Sequence, residues 1–252
     1  MIPSTAIAAV TVAALIASPS GAAETLRYRI QQQIDQVVDL SAMGQAEQVL
    51  SAAYDLYLTL EVTDSAGGRA VRATVDSVVP GPGADNPALA AMIGGFKDLR
   101  GAGFVTAEGE AEGFVDVDSV RGPQLRGLVD GLFPMVKPGT KAGDSWSDTV
   151  STTDTIPTGI TSRSAVTNHM AAAGDGGALK ITSKSAYSLS GTVQGGLPLE
   201  GRGNSTAEVH VAPGGWVLSG KSDDQSDLLL APPGAGVIPI ANQVSGTITM
   251  LQ

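Results

Sequence analysis

Between Tyr54 and Thr63 apolar and polar residues alternate without interruption. Tyr54, Leu56, Leu58, Leu60 and Val62 share one parity, and Asp55, Tyr57, Thr59, Glu61 and Thr63 share the other. A period of two places each set on its own face of an extended chain, so this segment reads as a half-buried strand and not as a helix. Asp64-Ser65-Ala66-Gly67-Gly68 supplies a turn, and Arg69 to Val79 returns with Val71, Ala73 and Val75 on one face. Thr25 to Leu40 pairs on the other side, giving an antiparallel meander. The same grammar resumes late in the chain. Leu179, Ile181, Tyr187 and Leu189 alternate, Asn204–Val211 and Trp216–Lys221 flank the hairpin turn Ala212-Pro213-Gly214-Gly215, and Gln243–Leu251 makes a final strand. The 32 glycines and 14 prolines are what many strands joined by turns require. Because aromatics make up only 4% of the chain, the core must come from Ala, Val, Leu and Ile.

Two segments break the strand pattern. After Pro80-Gly81-Pro82-Gly83, Asn86 offers an N-cap with Pro87 at the first helical position, and Leu89, Met92, Ile93 and Phe96 follow at helical spacing. That helix closes near Gly101, and a hairpin-like stretch runs from Gly103 to Val117. Pro123 opens a second helix whose Leu125, Leu128, Val129, Leu132 and Phe133 form one apolar stripe, stopped by Pro134 and Pro138. No fixed-period repeat or long linker divides the chain. The fold class is therefore mainly β (α+β): a curved antiparallel sheet or open barrel with two short amphipathic helices packed on one face. It forms a single β-rich domain over residues 24–252.

Residues 1–23 stand apart, as a signal peptide or an N-terminal anchor. Ala6 to Ala17 is an unbroken apolar stretch apart from Thr11, and Ser18-Pro19-Ser20-Gly21-Ala22-Ala23 follows it, with cleavage fitting after Ala22 or Ala23. No Lys or Arg precedes Arg27, which departs from the usual positive start of such segments. If it is retained, the segment over residues 2–17 is short against the roughly 20 residues of a membrane span. The protein is expected to be periplasmic or extracellular, or anchored to a membrane through residues 2–17. The net charge of −10, from 15 basic and 25 acidic residues, argues against nucleic acid, which needs a basic face to displace counterions. The chain has no cysteine, so disulfides, thiolate nucleophiles, iron–sulfur clusters and a lipobox are excluded.

Lys137 to Thr149 reads KPGTKAGDSWSDT, and Glu208 to Lys221 reads EVHVAPGGWVLSGK. Both resemble segments of uncharacterised exported bacterial β-rich proteins, in which a helix and proline precede a Gly-Asp-Ser/Thr-Trp step into a strand. The resemblance runs loosely from Thr25 to the C-terminus and carries no assigned activity. The strand–helix–strand order is also similar to the open, curved sheets of periplasmic lipoprotein carriers. This implies acyl chains held between sheet and helices, an analogy of fold alone.

The chemical candidates are few. Gly143-Asp144-Ser145-Trp146 is similar to the Gly-Asp-Ser block of some serine esterases, and only His169 and His210 are present to serve as a base. The block's place after a proline break favours a turn in which Asp144 bonds local backbone and Trp146 enters the core. Asp116-Val117-Asp118 and Asp223-Asp224 lack the ligand number calcium needs. Glu108, Glu110 and Glu112 alternate as one strand face, where paired carboxylates suit glycoside hydrolysis; ten aromatics in all leave few to build a sugar cleft. His169 and His210 read as surface histidines without a close third metal ligand. The expectation is a non-enzymatic envelope protein with no cofactor and no metal. Leu89, Ile93, Phe96, Leu125, Leu128 and Leu132 either complete the core or line an apolar cavity for a lipid or other hydrophobic ligand. The alternative function is an accessory subunit on the periplasmic face of a membrane protein complex, held by the N-terminal segment.

Overall fold

The computed structural model describes residues 23–252 except 84–89, 91–92, 117–120, 135, 137–138, 157–158, 194–195 and 233–235. The first meander contains β1 (Glu24–Val38), β2 (Gln48–Ser65), β3 (Gly68–Pro80), β4 (Arg100–Thr106) and β5 (Ala111–Asp116). Helix α1 (Gly122–Asp130) follows it. The second meander contains β6 (Ser145–Ile156), β7 (Gly159–Ala173), β8 (Leu179–Val193), β9 (Leu197–Val211), β10 (Val217–Leu230) and β11 (Ile238–Leu251). All eleven strands form one antiparallel sheet in the order β5-β4-β3-β2-β1-β11-β10-β9-β8-β7-β6. The first and last strands meet at its centre, where Arg27 to Val38 pair with Leu251 to Ile240. The sheet is open, with β5 and β6 as its edges. Among the described residues no helix is long and apolar enough to cross a membrane.

The alternation seen in sequence sets the layers. Leu56, Leu58 and Leu60 of β2 face the same side as Leu26 and Tyr28 of β1, and all are buried. Val71, Ala73 and Val75 extend this surface across β3. Helix α1 lies against β4 and β5, and its Leu125 and Val129 join Leu99, Val105, Ala111 and Phe114 in the same core. The side of the sheet that carries these residues is the helix-bearing face.

The helical segments are shorter than their stripes suggest. Helix α1 ends at Asp130, and Leu132 and Phe133 lie beyond it, buried in a turn. Gly127 and Gly131 weaken the helix, and Pro134 disfavours helical backbone at the residue before it. The Val217 amide donates to the Leu132 carbonyl at 2.9 Å, tying this turn to the start of β10. Of the earlier helix, Ala90, Ile93 and Gly94 carry helical backbone; Asn86, Pro87, Leu89 and Met92 lie outside the described residues. The strand expectations hold, with β4–β5 supplying the hairpin between Gly103 and Val117 and β9–β10 the one around Pro213.

Candidate binding face

Strand register determines which side chains of the second meander share the helix-bearing face. Val38 of β1 has the parity of Tyr28, and across the sheet from it stand Ile240, Leu228, Gly201, Leu189 and Arg163. The neighbouring row runs Ile238, Leu230, Leu199, Gly191 and Thr161. Six aliphatic side chains thus lie side by side over β8 to β11. Leu199 and Ile238 are buried, and Leu189, Leu228, Leu230 and Ile240 are half-buried. None joins the main core or the small cluster of Ala171, Ile181 and Val211. At Gly201 a Cβ would stand 2.4 Å from Leu228 Cδ2, so the leucine lies across the glycine.

One row further along, Tyr187 lies over Gly203, where a Cβ would come within 2.4 Å of its phenol ring. Its hydroxyl donates to Asp224 at 2.6 Å. Burial pushes the phenol's pKa up, and the bond to Asp224 pushes it the same way. The Arg163 guanidinium sits 4.1 Å above the ring centroid, a cation–π contact between neighbouring strands. The result is a stack of glycine, phenol and guanidinium beside the aliphatic rows.

At the far end of the same face Trp146 stacks on His169, with centroids 4.8 Å apart. His169 Nδ1 lies 2.8 Å from Ser183 Oγ, and its Nε2 lies 3.5 Å from Asp148 Oδ2. The residue types are those of a nucleophile, a base and an orienting carboxylate, but acyl transfer also needs donors aimed at a developing oxyanion. Ser183 stands mid-strand between β7 and β9, where the backbone amides are committed to the sheet ladder. Ser145 pairs with Met170, one position from the Trp146–His169 pair, and so projects from the opposite face to His169. His169 is not the surface histidine the sequence suggests, with only 18% of its side chain exposed. Its link to Ser183 and Asp148 depends on cross-strand register, which no single strand's pattern reveals.

The remaining sequence candidates separate. Leu125 and Leu132 are fully buried in the main core, and Leu128 and Phe96 pack against it, Phe96 beside Tyr54. Ile93 belongs to that core and also lines a hollow of about 420 Å³ with Val78, Pro80 and Ala90. Leu89 lies outside the described residues. Glu108 and Glu110 occupy the β4–β5 turn, so with Glu112 they do not form one strand face; Glu110 pairs with Arg126 at 3.6 Å. Asp223 and Asp224 are strand neighbours on opposite faces, Asp223 accepting from Gln243 and Asp224 from Tyr187. In the other acidic pair, Asp116 ends β5, and Val117 and Asp118 lie outside the described residues. His210 stands with Glu208, Lys180 and Lys221 on the face away from the helix.

That opposite face mixes polar residues with scattered exposed apolar ones, among them Val49, Val166, Met170 and Leu229. It carries a hollow of about 550 Å³ whose lining mixes Asp35, Arg202, Asp227 and Gln243 with Val37, Ala186 and Ala241. The six aliphatic side chains that pack into neither core cluster lie on the helix-bearing face, where their two rows end at Arg163 and Thr161. Compared with protein-family models, curated proteins and solved structures, the chain matches none, so its function must be argued from these residues.

Proposed function

We propose that the protein is an exported, non-enzymatic binder of a hydrophobic ligand such as a lipid, held on the helix-bearing face of β8–β11. The observation that carries this reading is the aliphatic surface of Leu189, Leu199, Leu228, Leu230, Ile238 and Ile240, which belongs to neither core cluster. Leu189, Leu228, Leu230 and Ile240 stay partly accessible beside the buried Leu199 and Ile238, and accessible apolar area in one contiguous patch marks a binding surface more often than scattered single residues do. Gly191 and Gly201 lie within the two rows, and the missing side chains let neighbours pack close, with Leu228 over Gly201 and the Ile160 backbone beside Gly191. In this reading the sheet curves around the ligand, and the two helical segments close the end occupied by the main core. The apolar N-terminal segment supports export.

Organic extraction of the purified protein followed by mass spectrometry tests the proposal, together with titration by a fluorescent hydrophobic dye. Lipid in the extract and saturable dye uptake are expected. Ile240→Asp and Leu189→Asp should abolish uptake while far-ultraviolet circular dichroism stays unchanged. Empty extracts and no uptake would sink the binding reading.

The accessory-subunit alternative draws on β6, a twelve-residue edge strand with one unpaired side. Such an edge accepts a strand from a partner. Recovery of a stable partner with lipid-free protein would favour it.

A further inference from the structure

We infer that the ligand is an amphiphile with an anionic headgroup and that Arg163 is the residue that reads it; this rests on the binding reading above. Arg163 is exposed, and its register partner on β8 is Leu189, the first residue of the aliphatic row. Among the described residues it is the only Lys or Arg whose register puts it on the helix-bearing face of β6–β11. Lys184 and Arg202, also in the second meander, face the other way.

The stack makes this cation a pre-placed donor. Its guanidinium carbon lies 4.1 Å from the Tyr187 ring centroid, the ring rests on Gly203, and the phenol is tied to Asp224. A cation–π contact uses the charge of the guanidinium without consuming its five N–H donors. Arg29, Arg72 and Arg126 each meet a carboxylate, whereas Arg163 has no carboxylate within ion-pair distance among the described residues. A planar fork of donors matches a carboxylate or a phosphate monoester, bound in bidentate fashion. Asp224, on β10, accepts from the phenol hydroxyl.

The aliphatic rows supply the other half of the ligand. From Arg163 on β7 to Ile240 on β11 the path crosses four strand spacings, about 19 Å at the usual inter-strand distance. That is about the length of an extended long-chain acyl group. Leu189, Leu228 and Ile240 line the path, with Leu228 lying across Gly201. A ligand lying across the strands would therefore place its charge on Arg163 and its tail on hydrocarbon.

The test compares a fluorescent long-chain fatty acid, its methyl ester and an alkyl phosphate of equal chain length on the full chain at low salt. The acid and the phosphate are expected to bind about tenfold tighter than the ester, the ratio a charge-assisted bond provides. Arg163→Gln should erase that preference and leave ester affinity unchanged, and Arg163→Lys should retain part of it. The acid and the phosphate distinguish a free fatty acid from a phospholipid-derived headgroup as the preferred anion. Equal binding of acid and ester by the wild-type chain would overturn the inference, as would an anion preference that survives Arg163→Gln; in both cases hydrophobic binding itself would stand. Failure of all three probes to bind would remove the binding reading, and this inference with it.

Discussion

The two meanders share one sheet and one hydrogen-bonding pattern but spend their helix-bearing faces differently. On β2 that face reads Ala52, Tyr54, Leu56, Leu58, Leu60 and Val62, all buried. On β8 it reads Ile181, Ser183, Ser185, Tyr187 and Leu189, of which only Ile181 is buried. The first meander is held by apolar burial under α1 and its flanking turns. The second is held by its ladder and by polar cross-strand pairs such as Thr167 with Ser185 at 2.7 Å and Thr153 with Ser162 at 3.0 Å, each contributing a fraction of a kcal/mol up to about 1. The β1–β11 seam couples the two, so the well-covered half can carry a half whose apolar residues are free for another purpose.

Single core deletions should separate the halves most strongly. Leu58→Ala removes a fully buried side chain and is expected to cost about 2–5 kcal/mol in urea unfolding. Leu189→Ala, on the half-buried strip, should cost less than about 1 kcal/mol. Equal losses would mean that the strip is core, and the comparison would fail. The next effect belongs to the stack. A Cβ at Gly203 meets both the Tyr187 ring and the Gln225 carbonyl oxygen, the latter at 2.7 Å. Gly203→Ala should therefore displace the phenol from Asp224 and cost about 1–3 kcal/mol as an overpacking change. An unchanged unfolding midpoint would show that the stack yields freely.

The fold was legible wherever one face is buried and the other wet. Tyr54 to Val62 announces β2 because every second residue enters the core, and Asp64 to Gly68 announces its turn because Gly67 takes a left-handed φ of 81°. Strands β6 and β7 are harder to read, since Ser, Thr and Asp occupy both parities and no hydrophobic period remains to detect. The stripe of Leu125, Leu128, Val129, Leu132 and Phe133 correctly reports burial but overstates the helix, because a turn after Asp130 buries Leu132 and Phe133 equally well. The candidate site was the least legible. Leu189, Leu228 and Ile240 come together only through register across β8 to β11, and Arg163 joins them from a strand whose own sequence is unremarkable.

A smaller effect sharpens the account of the first meander. Tyr28 is fully buried in the main core, and its hydroxyl has no hydrogen-bond partner among the described residues. Burial, followed by the nearby Glu24 charge, pushes this phenol's pKa far up. An unsatisfied buried hydroxyl costs about 1–3 kcal/mol of desolvation. Tyr28→Phe keeps the ring and removes that cost, and is expected to raise stability by about 1 kcal/mol in the same urea measurement. A loss of stability would place an undetected partner at the hydroxyl.

The smallest expected effect lies in the second meander, on the face away from the helix. Glu208 meets Lys180 at 2.7 Å and Lys221 at 3.8 Å. The hydrogen bond from Lys180, and then the positive charges around it, hold its carboxyl below the ordinary value of 4.5. A carboxyl depressed in the folded state contributes stability above its unfolded pKa and loses it as pH falls through the folded one. The contribution should therefore be intact at neutral pH and disappear below about pH 4.5, by an amount kept small because the pair is bathed in solvent and screened by salt. Glu208→Gln should lower the neutral-pH unfolding midpoint slightly and flatten its fall in acid, and added salt should shrink the difference from wild type. A large, salt-insensitive loss would mean that this charge cluster, and not the ladder with its polar pairs, holds the second meander together. The contrast between a half built on burial and a half built on hydrogen bonds would then have to be redrawn around its ion pairs.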